Sequence, residues 1–438
     1  MKTRFLNARI LTMADDQEPF IGELWTEGSR IRFVGTKEEA ELRLKESGER
    51  FRPEEEIDCH GDLLMPGFKN AHTHSAMTLL RSRADDLPLD QWLNEQIFPV
   101  EAKLTEDDIY HLTKLAFLEY LTSGITACFD MYLTPRSIAK AAADSGFRMV
   151  QVGAVNNFSQ SPELVEELYQ ELNGRDEFNS YVLGFHAEYT CSRELLEKIA
   201  ALAHKYQAPV FTHISETKGE VAGCRERYGM SPVKFLDSLG MFAYGGGGYH
   251  LVHVDDEDIR ILKEQKMFVV TNPGSNTKLA SGIAPISRYL AAGIPVAIGT
   301  DGPASNNALD MFREMFLTTG LAKLKDDDAS SVDALSVLKM ATVNGAHAMG
   351  LTDADTLAEG KKADLIRIDL DQPNMQPLNN IRKNLVYSGS KSNVRLVMIG
   401  GEVKYRDGSF FIGEDPAAIY AKAEEIRSRI DREMLEGN

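Results

Sequence analysis

Residues 63–74 read LLMPGFKNAHTH, an apolar run that ends in two histidines separated by one residue. In an extended strand, residues two apart project from the same face, so His72 and His74 would point the same way and could hold one metal ion together. An isolated pair of this kind is a weak signal. The rest of the chain has to supply further ligands before the pair indicates a site.

The chain between residues 67 and 351 alternates short apolar β-runs with amphipathic helical stretches, which is typical of a parallel βα architecture. With the segment ending near His72, eight β-runs predict an α/β fold with a closed (βα)₈ barrel of the TIM type. In such a barrel the chemistry gathers at the carboxyl ends of the strands. The other seven candidate strands are residues 126–130, 149–152, 181–185, 210–212, 249–252, 268–270 and 296–299.

The two ends of the chain carry β-rich runs separated by turn signals, at residues 4–11, 30–34, 363–368 and 394–399. We expect residues 1–66 and 352–438 to combine into one small β-sandwich domain, with a C-terminal helix over residues 416–434. Residues 67–351 would then form the catalytic barrel. The total of 438 residues suits a barrel of about 250 residues with a smaller unit beside it.

Composition excludes several classes of partner. The chain has 48 Lys and Arg against 66 Asp and Glu, a net charge of −18, and no basic stretch offsets it, so nucleic acids and anionic membranes are not expected partners. No apolar run approaches the roughly 20 residues of a membrane span, and a signal-peptide run is absent, so we expect a cytoplasmic protein. The four scattered cysteines predict neither a disulfide framework nor a cysteine-type zinc site.

Imidazole and carboxylate side chains recur at the ends of the predicted strands. His186 follows residues 182–185, His213 follows residues 209–212, and Asp301 follows residues 296–300. His250 lies within the run 249–253. In a barrel these ends surround one mouth, where imidazole and carboxylate are the ligands expected for zinc or ferrous iron.

Several segments in order along the chain resemble the amidohydrolase superfamily. Within it they are similar to the branch that contains the 5′-methylthioadenosine/S-adenosylhomocysteine deaminases, the guanine deaminases and the triazine chlorohydrolases. The similarity continues through TVNGA at residues 342–346 and GKKADL at residues 360–365. The segments that carry it are the paired histidines after residues 66–67, HISET at 213–217, the strand around His250, NPGSN at 272–276, and GTDGPASNN at 299–307.

The resemblance implies a metal site and a substrate site. It assigns metal ligation to His72, His74, His213 and Asp301. Superfamily members with two metals add a modified lysine at the end of the fourth strand, whereas residues 182–190 contain no lysine, so one divalent ion is expected, zinc or else iron. The resemblance also implies that His186 binds substrate, that Glu101 contacts ribose hydroxyls, and that Trp92 lies in a segment covering the pocket.

The same residues predict a mechanism. A metal ion lowers the pKa of its bound water, and Asp301 with His250 is placed to accept and orient the proton. Glu216, three residues after His213, is expected to bind substrate, protonate a ring nitrogen, and help deliver a proton to departing ammonia. The resemblance therefore implies a hydrolytic deaminase acting on an adenosine-type nucleoside such as 5′-methylthioadenosine, 5′-deoxyadenosine, adenosine or S-adenosylhomocysteine.

Two alternatives stay open at this point. One is a deaminase or chlorohydrolase acting on another heterocycle, such as guanine or an s-triazine. The other is a non-catalytic binding protein on the same scaffold, against which the complete ligand set counts.

Residues 149–174 contain neither Arg nor Lys, so an anionic substrate tail has no obvious partner there. We expect a small-molecule substrate and a homo-oligomer, a dimer or a tetramer. The run Gly245–Gly248 has no explanation in the sequence.

Overall fold

The computed structural model describes residues 1–47, 51–83, 85–87 and 91–436. The strands are β1 (Lys2–Ile10), β2 (Phe20–Glu27), β3 (Arg30–Gly35), β4 (Glu55–Asp58), β5 (Leu63–Pro66), β6 (Phe68–Thr73), β7 (Ile125–Asp130), β8 (Arg148–Val152), β9 (Asn179–Ala187), β10 (Val210–Ile214), β11 (Gly246–His250), β12 (Met267–Thr271), β13 (Val296–Ile298), β14 (Leu365–Ile368), β15 (Val394–Ile399), β16 (Glu402–Arg406) and β17 (Ser409–Phe410).

The α-helices are α1 (Lys37–Ser47), α2 (Phe98–Glu101), α3 (Glu106–Thr122), α4 (Pro135–Ser145), α5 (Pro162–Leu172), α6 (Arg193–Tyr206), α7 (Lys218–Tyr228), α8 (Pro232–Ser238), α9 (Asp256–Glu264), α10 (Pro273–Lys278), α11 (Ile286–Ala291), α12 (Met311–Asp326), α13 (Ala334–Lys339), α14 (Gly345–Ala348), α15 (Ile381–Tyr387) and α16 (Pro416–Glu436). Short 3₁₀ or π-helical turns occupy Ser75–Leu80, Trp92–Ile97, Glu188–Thr190, Met340–Asn344, Pro373–Met375 and Lys391–Asn393.

Strands β6 to β13 form an eight-stranded parallel barrel in which each strand pairs with the next along the chain. The seam between the first and last strands is bridged by hydrogen bonds. The Asp301 amide donates to the His72 carbonyl at 2.9 Å. The Asn70 side chain bonds both the amide and the hydroxyl of Thr300, at 2.8 and 2.7 Å. The predicted fold class, a barrel with a β unit built from the two ends of the chain, is confirmed.

The interior of the barrel is a packed apolar core. Phe129 and Phe211 meet at a centroid distance of 4.9 Å, and Phe211 and Tyr249 meet at 5.9 Å. Val150 and Val270 are fully buried in the same cluster. Side chains therefore fill the barrel, as expected for eight strands, and any ligand must bind at its mouth.

Strand β11 begins inside the glycine run, so the predicted strand over residues 249–252 was wrong in its bounds. A Cβ atom at Gly246 would lie 2.0 Å from the Val210 carbonyl oxygen. One at Gly247 would lie 2.3 Å from Cε1 of Phe211. The neighbouring strand and its phenylalanine occupy the space that side chains on β11 would need, which accounts for the glycines.

The nine strands at the two ends of the chain form one mixed sheet beside the barrel. Strand β5 pairs with β1 in parallel and with β14 in antiparallel orientation, which joins the N-terminal and C-terminal parts. Arg148 at the start of β8 contacts Asp364 at 2.6 Å, with 1% and 0% of the two side chains exposed, and so ties the barrel to this sheet. The domain boundaries at 66/67 and 351/352 stay a prediction.

The C-terminal helix α16 packs on α3. It buries three isoleucines on one apolar stripe: Ile419, Ile426 and Ile430. Among the described residues, no helix has the length and apolar character needed to cross a membrane. The four cysteines are buried and form no disulfide: Cys59, Cys128, Cys191 and Cys224.

Candidate active site

Four histidines and one aspartate converge at the carboxyl ends of the barrel strands. His72 lies in β6 with His74 just beyond it, His213 lies in β10, His250 ends β11, and Asp301 follows β13 by three residues. The His72 ring lies 4.8 Å from the His213 ring and 4.9 Å from the His74 ring, between centroids. The His213 and His250 rings are 5.6 Å apart. Residues distant in the sequence thus meet around one point.

One grouping of candidate ligand atoms differs by one member from the predicted set. His72, His213, His250 and Asp301 each offer one ligand atom, and these atoms lie within 4.8 Å of one another. His74 lies beside them, with its Nε2 3.2 Å from Oδ1 of Asp301. His72 Nε2 is 3.5 Å from the same oxygen. All four predicted ligands are brought together, with His250, which the sequence predicts to take part in proton transfer, as a fifth neighbour.

These side chains fit a divalent cation. His72 is fully buried, and neither of its ring nitrogens has a hydrogen-bond partner. Burial lowers the pKa of His72 to about 3 and that of His213 well below its usual range, which keeps both imidazoles in the neutral form that binds metals. Although burial opposes ionisation of Asp301, its contacts with His72 and His74 hold its pKa well below the usual range. Imidazole with carboxylate suits zinc or ferrous iron.

Hydrogen bonds orient the histidine rings. The Nδ1 of His213 donates to the carbonyl of His186 at 2.7 Å. The Nδ1 of His250 lies 2.8 Å from Oδ1 of Asn276, which accepts its proton. With Nδ1 occupied, each ring presents Nε2 as an acceptor or ligand. Asn276 lies in the NPGSN segment quoted above, but nothing local in that segment assigns it to His250.

The backbone turns sharply at the ends of these strands. Ser215, His250, Leu251 and Asp301 have φ angles of +54°, +75°, +46° and +60°. Left-handed conformations are uncommon for residues other than glycine and cost roughly 1–3 kcal/mol each when strained. Such outliers persist where the surrounding structure over-determines them, and here they cluster at the mouth of the barrel.

One cavity of about 590 Å³ opens onto the cluster. Every substrate residue predicted from the sequence lines it together with His74, His213, His250 and Asp301: Trp92, Glu101, His186 and Glu216. Much of the remaining wall is apolar: Met77, Leu93, Ile97, Phe98, Leu133 and Leu279. The cavity therefore combines a polar floor with apolar sides, as small-molecule sites do.

Besides the Tyr132 hydroxyl, two polar groups in the cavity wall lack hydrogen-bond partners, those of Glu101 and Trp92. One carboxylate oxygen of Glu101, Oε1, is buried without a hydrogen bond, and burial raises the pKa of this residue to about 7. Trp92 is 4% exposed, and its indole nitrogen is also buried without a hydrogen-bond partner. A buried polar group without a partner is costly, so both are atoms that a polar ligand would satisfy.

Glu216 and His186 both lie next to histidines of the cluster. A carboxylate oxygen of Glu216 lies 3.8 Å from Nε2 of His250, and its other oxygen accepts a hydrogen bond of 3.1 Å from the Ser281 hydroxyl. His186 lies 4.9 Å from His213 between ring centroids, with its Nδ1 3.0 Å from the Thr190 hydroxyl. Burial lowers the pKa of His186 to about 4, so this ring is neutral.

Comparison with known proteins places the chain in a family. Residues 63–404 match the amidohydrolase family. The chain is 40% identical over 412 residues to a 5-methylthioadenosine/S-adenosylhomocysteine deaminase of Desulfitobacterium hafniense, an alignment covering 92% of this chain and 93% of the relative. It is also 40% identical over 366 residues to a 5'-deoxyadenosine deaminase of Methanothermobacter thermautotrophicus, covering 82% and 86%.

A solved structure is similar over almost the whole chain. The crystal structure of an adenosine deaminase from Xanthomonas campestris with bound zinc aligns with a TM-score of 0.92 and 32% sequence identity, covering 98% of each chain. The protein belongs to the amidohydrolase family, and the resemblance identified from the sequence motifs is confirmed.

Proposed function

We propose that the protein is a metal-dependent hydrolase that releases ammonia from an adenosine-type nucleoside. The observation that carries the proposal is Glu101, a buried carboxylate with an unpartnered oxygen in the same cavity as the histidine cluster. A carboxylate there can accept hydrogen bonds from ribose hydroxyls, which a free base or a triazine does not have. The names of the relatives support the same class of substrate.

The proposed metal site comprises His72, His74, His213 and Asp301, holding one divalent ion, zinc or else iron. When bound, such an ion lowers the pKa of a water ligand towards neutrality. The absence of lysine from residues 182–190 supports a single ion. In this assignment His250 stays outside the ligand set, with its Nε2 4.0 Å from Oδ2 of Asp301.

The side chains around the site divide the proton transfers. Asp301 and His250 accept and orient the proton that the attacking water loses. Glu216 in its acid form donates a proton to the ring nitrogen next to the carbon under attack, while Ser281 steadies its other oxygen. The C–N bond then breaks, ammonia leaves with the proton that these groups return, and the ring keeps a carbonyl oxygen.

The cavity wall favours an uncharged 5′ group on the nucleoside. Among the described residues that line the cavity, none is lysine or arginine. A carboxylate-bearing tail would therefore lack a charged partner, whereas a methylthio or methyl group would contact apolar side chains. We expect 5′-methylthioadenosine, 5′-deoxyadenosine and adenosine to be better substrates than S-adenosylhomocysteine.

An ammonia-coupled assay of the zinc-loaded protein tests the proposal. The panel contains adenosine, 5′-deoxyadenosine, 5′-methylthioadenosine, S-adenosylhomocysteine, adenine, guanine and a chlorinated s-triazine, with the Glu216→Gln variant as background control. Ammonia release from the nucleosides with weak or no activity on the other rings is expected. Turnover of guanine or the triazine in preference to every adenosine derivative would refute the proposal.

We also propose that the protein forms a homodimer or homotetramer and is cytoplasmic. Four unpaired cysteines suit a reducing compartment. Light scattering after size-exclusion chromatography measures the assembly, and fractionation of cells measures the location. A monomer, or a protein recovered outside the cytoplasm, would contradict the corresponding half.

A further inference from the structure

The loop between β10 and α7 carries Glu216 in an unusual backbone conformation. Ser215 directly precedes Glu216 and lies two residues after His213, and its φ of +54° is left-handed. A serine in this conformation needs contacts that hold it. These contacts fix the position of the backbone that carries the Glu216 side chain.

The carboxylate of Glu220 supplies two of the contacts. Its Oε1 accepts a hydrogen bond of 2.6 Å from the Ser215 amide, and its Oε2 accepts one of 2.7 Å from the Glu216 amide. An acidic residue at the third helical position ordinarily reaches back to the amide of the capping residue, here Thr217. Glu220 instead accepts from the amides of Glu216 and Ser215, which lie one and two residues before Thr217, so both of its oxygens hold the loop.

The same serine is held from the opposite side. The Ser215 carbonyl accepts hydrogen bonds from the amides of Val252 and His253, at 3.0 and 2.9 Å, in the loop that follows His250. The loop that carries Glu216 is thereby bonded both to α7 and to the segment that carries His250. Glu220 itself is buried, with 7% of its surface exposed, and does not line the substrate cavity.

We infer that Glu220 is a positioning residue: its carboxylate fixes the amides of Ser215 and Glu216 and so sets the distance between the Glu216 carboxylate and His250. The inference rests on the proposed function, in which Glu216 transfers protons. Glu220 acts on the reaction only through the backbone of Glu216.

The first test compares Glu220→Ala and Glu220→Gln with wild type. Alanine removes both acceptors, and misplacement of a reacting group by about 1 Å costs on the order of 100-fold, so we expect kcat to fall about 100-fold. Glutamine keeps one acceptor oxygen, and we expect a loss of about 10-fold. KM and the zinc content should change less than about threefold, because the cavity wall and the ligands stay in place.

The matched control is Glu194→Ala, which removes an exposed acid from the first turn of the neighbouring helix α6. It should leave kcat unchanged. A larger effect on KM than on kcat in Glu220→Ala, or a glutamine variant no better than alanine, would contradict a positioning role.

A double variant tests whether Glu220 acts through Glu216. In the Glu216→Gln background the proton transfer by Glu216 is already lost, so adding Glu220→Ala should reduce the residual rate less than twofold. If the two changes multiply, Glu220 affects the reaction by another route and the inference is overturned.

Amide hydrogen exchange tests the contact without any assay of activity. In Glu220→Ala the segment 214–217 should exchange at least tenfold faster than in wild type, and in Glu194→Ala at the wild-type rate. Unchanged exchange overturns the inference whatever the substrate is. A wild type that protects this segment but releases no ammonia from any nucleoside refutes the proposed function, while the contact of Glu220 with the loop stands.

Discussion

Replacing Glu101 by alanine should cost the protein its preference for nucleosides while leaving the hydrolytic site intact. Glu101 lines the same cavity as the histidine cluster, and its Oε1 has no hydrogen-bond partner within the protein. In the proposed complex the two ribose hydroxyls donate to this carboxylate. The substitution removes that acceptor and none of the proposed metal ligands.

The magnitude follows from the number and type of hydrogen bonds. A hydrogen bond to a charged group contributes about 1.5–3 kcal/mol, and the hydroxyls supply up to two. Taking about 3 kcal/mol for the pair, and a factor of ten for each 1.4 kcal/mol, kcat/KM for 5′-deoxyadenosine should fall about 100-fold. The loss should appear mainly in KM if the contact is equally strong in the ground and transition states.

A substrate without the hydroxyls provides the control. Wild type should act about 100-fold less well on 2′,3′-dideoxyadenosine than on adenosine, and Glu101→Ala should show almost no further loss on the dideoxy compound. Ammonia release measured for both substrates with both proteins completes a double-mutant cycle. Equal kcat/KM for adenosine in wild type and Glu101→Ala would refute the assignment. It would also be refuted if the loss of kcat/KM caused by Glu101→Ala were the same with and without the ribose hydroxyls.

The pKa of Glu101 adds a dependence on pH. Burial raises this pKa to about 7, so the group is protonated at low pH and becomes a carboxylate as the pH rises through about 7. The carboxylate is the stronger acceptor, so KM for ribonucleosides should decrease over that interval and then level off. Glu101→Gln cannot ionise and should show no such decrease. A wild-type KM that is flat between pH 6 and pH 8 would contradict the role given to this carboxyl group.

Three further predictions concern the metal, the histidine orientation and the fold. Removal of divalent ions with a chelator should abolish ammonia release, and added zinc should restore it in wild type but not in His72→Ala; activity that survives complete chelation would contradict a metal-dependent reaction. Asn276→Leu removes the acceptor for Nδ1 of His250. The kcat should therefore fall about 10- to 100-fold, as is typical for loss of an orienting partner, while the zinc content stays unchanged. A parallel loss of zinc would instead indicate that His250 is a metal ligand. Asp364→Asn leaves the Arg148 guanidinium buried without its counter-charge, so urea denaturation should show a loss of about 3–5 kcal/mol at neutral pH. Burial favours the protonated form of Asp364, but the contact with Arg148 holds the pKa of Asp364 below its usual value. The stabilisation is therefore complete above about pH 4, and the difference between the proteins should shrink as the pH falls below that value; a difference that stays constant as the pH falls from 4 to 2 would contradict this origin.

The barrel could be predicted because its strands are buried on both faces. Such strands appear in the sequence as short continuous apolar runs, and a histidine or aspartate directly after one is conspicuous. His213 and Asp301 were found in this way. The run 394–399 in the β unit matched the observed strand β15 at both ends, because a glycine pair and a turn delimit it.

The parts that could not be predicted depend on contacts between distant residues. Glycine within a strand ordinarily suggests a break or a bulge, and only the backbone at Val210 and the ring of Phe211 explain why β11 needs Gly246 and Gly247. The hydrogen bonds from His250 to Asn276 and from the Ser215 amide to Glu220 likewise depend on how loops meet at the mouth of the barrel. Local patterns contain no signal for such pairs.

The residues that join the first and last strands of the barrel also belong to the candidate metal site. The hydrogen bond that bridges the seam joins the Asp301 amide to the His72 carbonyl, and the side chains of those residues lie 3.5 Å apart in the cluster. His72 comes from the first strand, His213 from the fifth, and Asp301 follows the last. A cation held by all three would link strands at both ends of the barrel sequence and stabilise the closed form, because a ligand that binds only the folded state shifts the folding equilibrium towards it. The catalytic site is thus placed where the fold itself requires its first and last strands to meet.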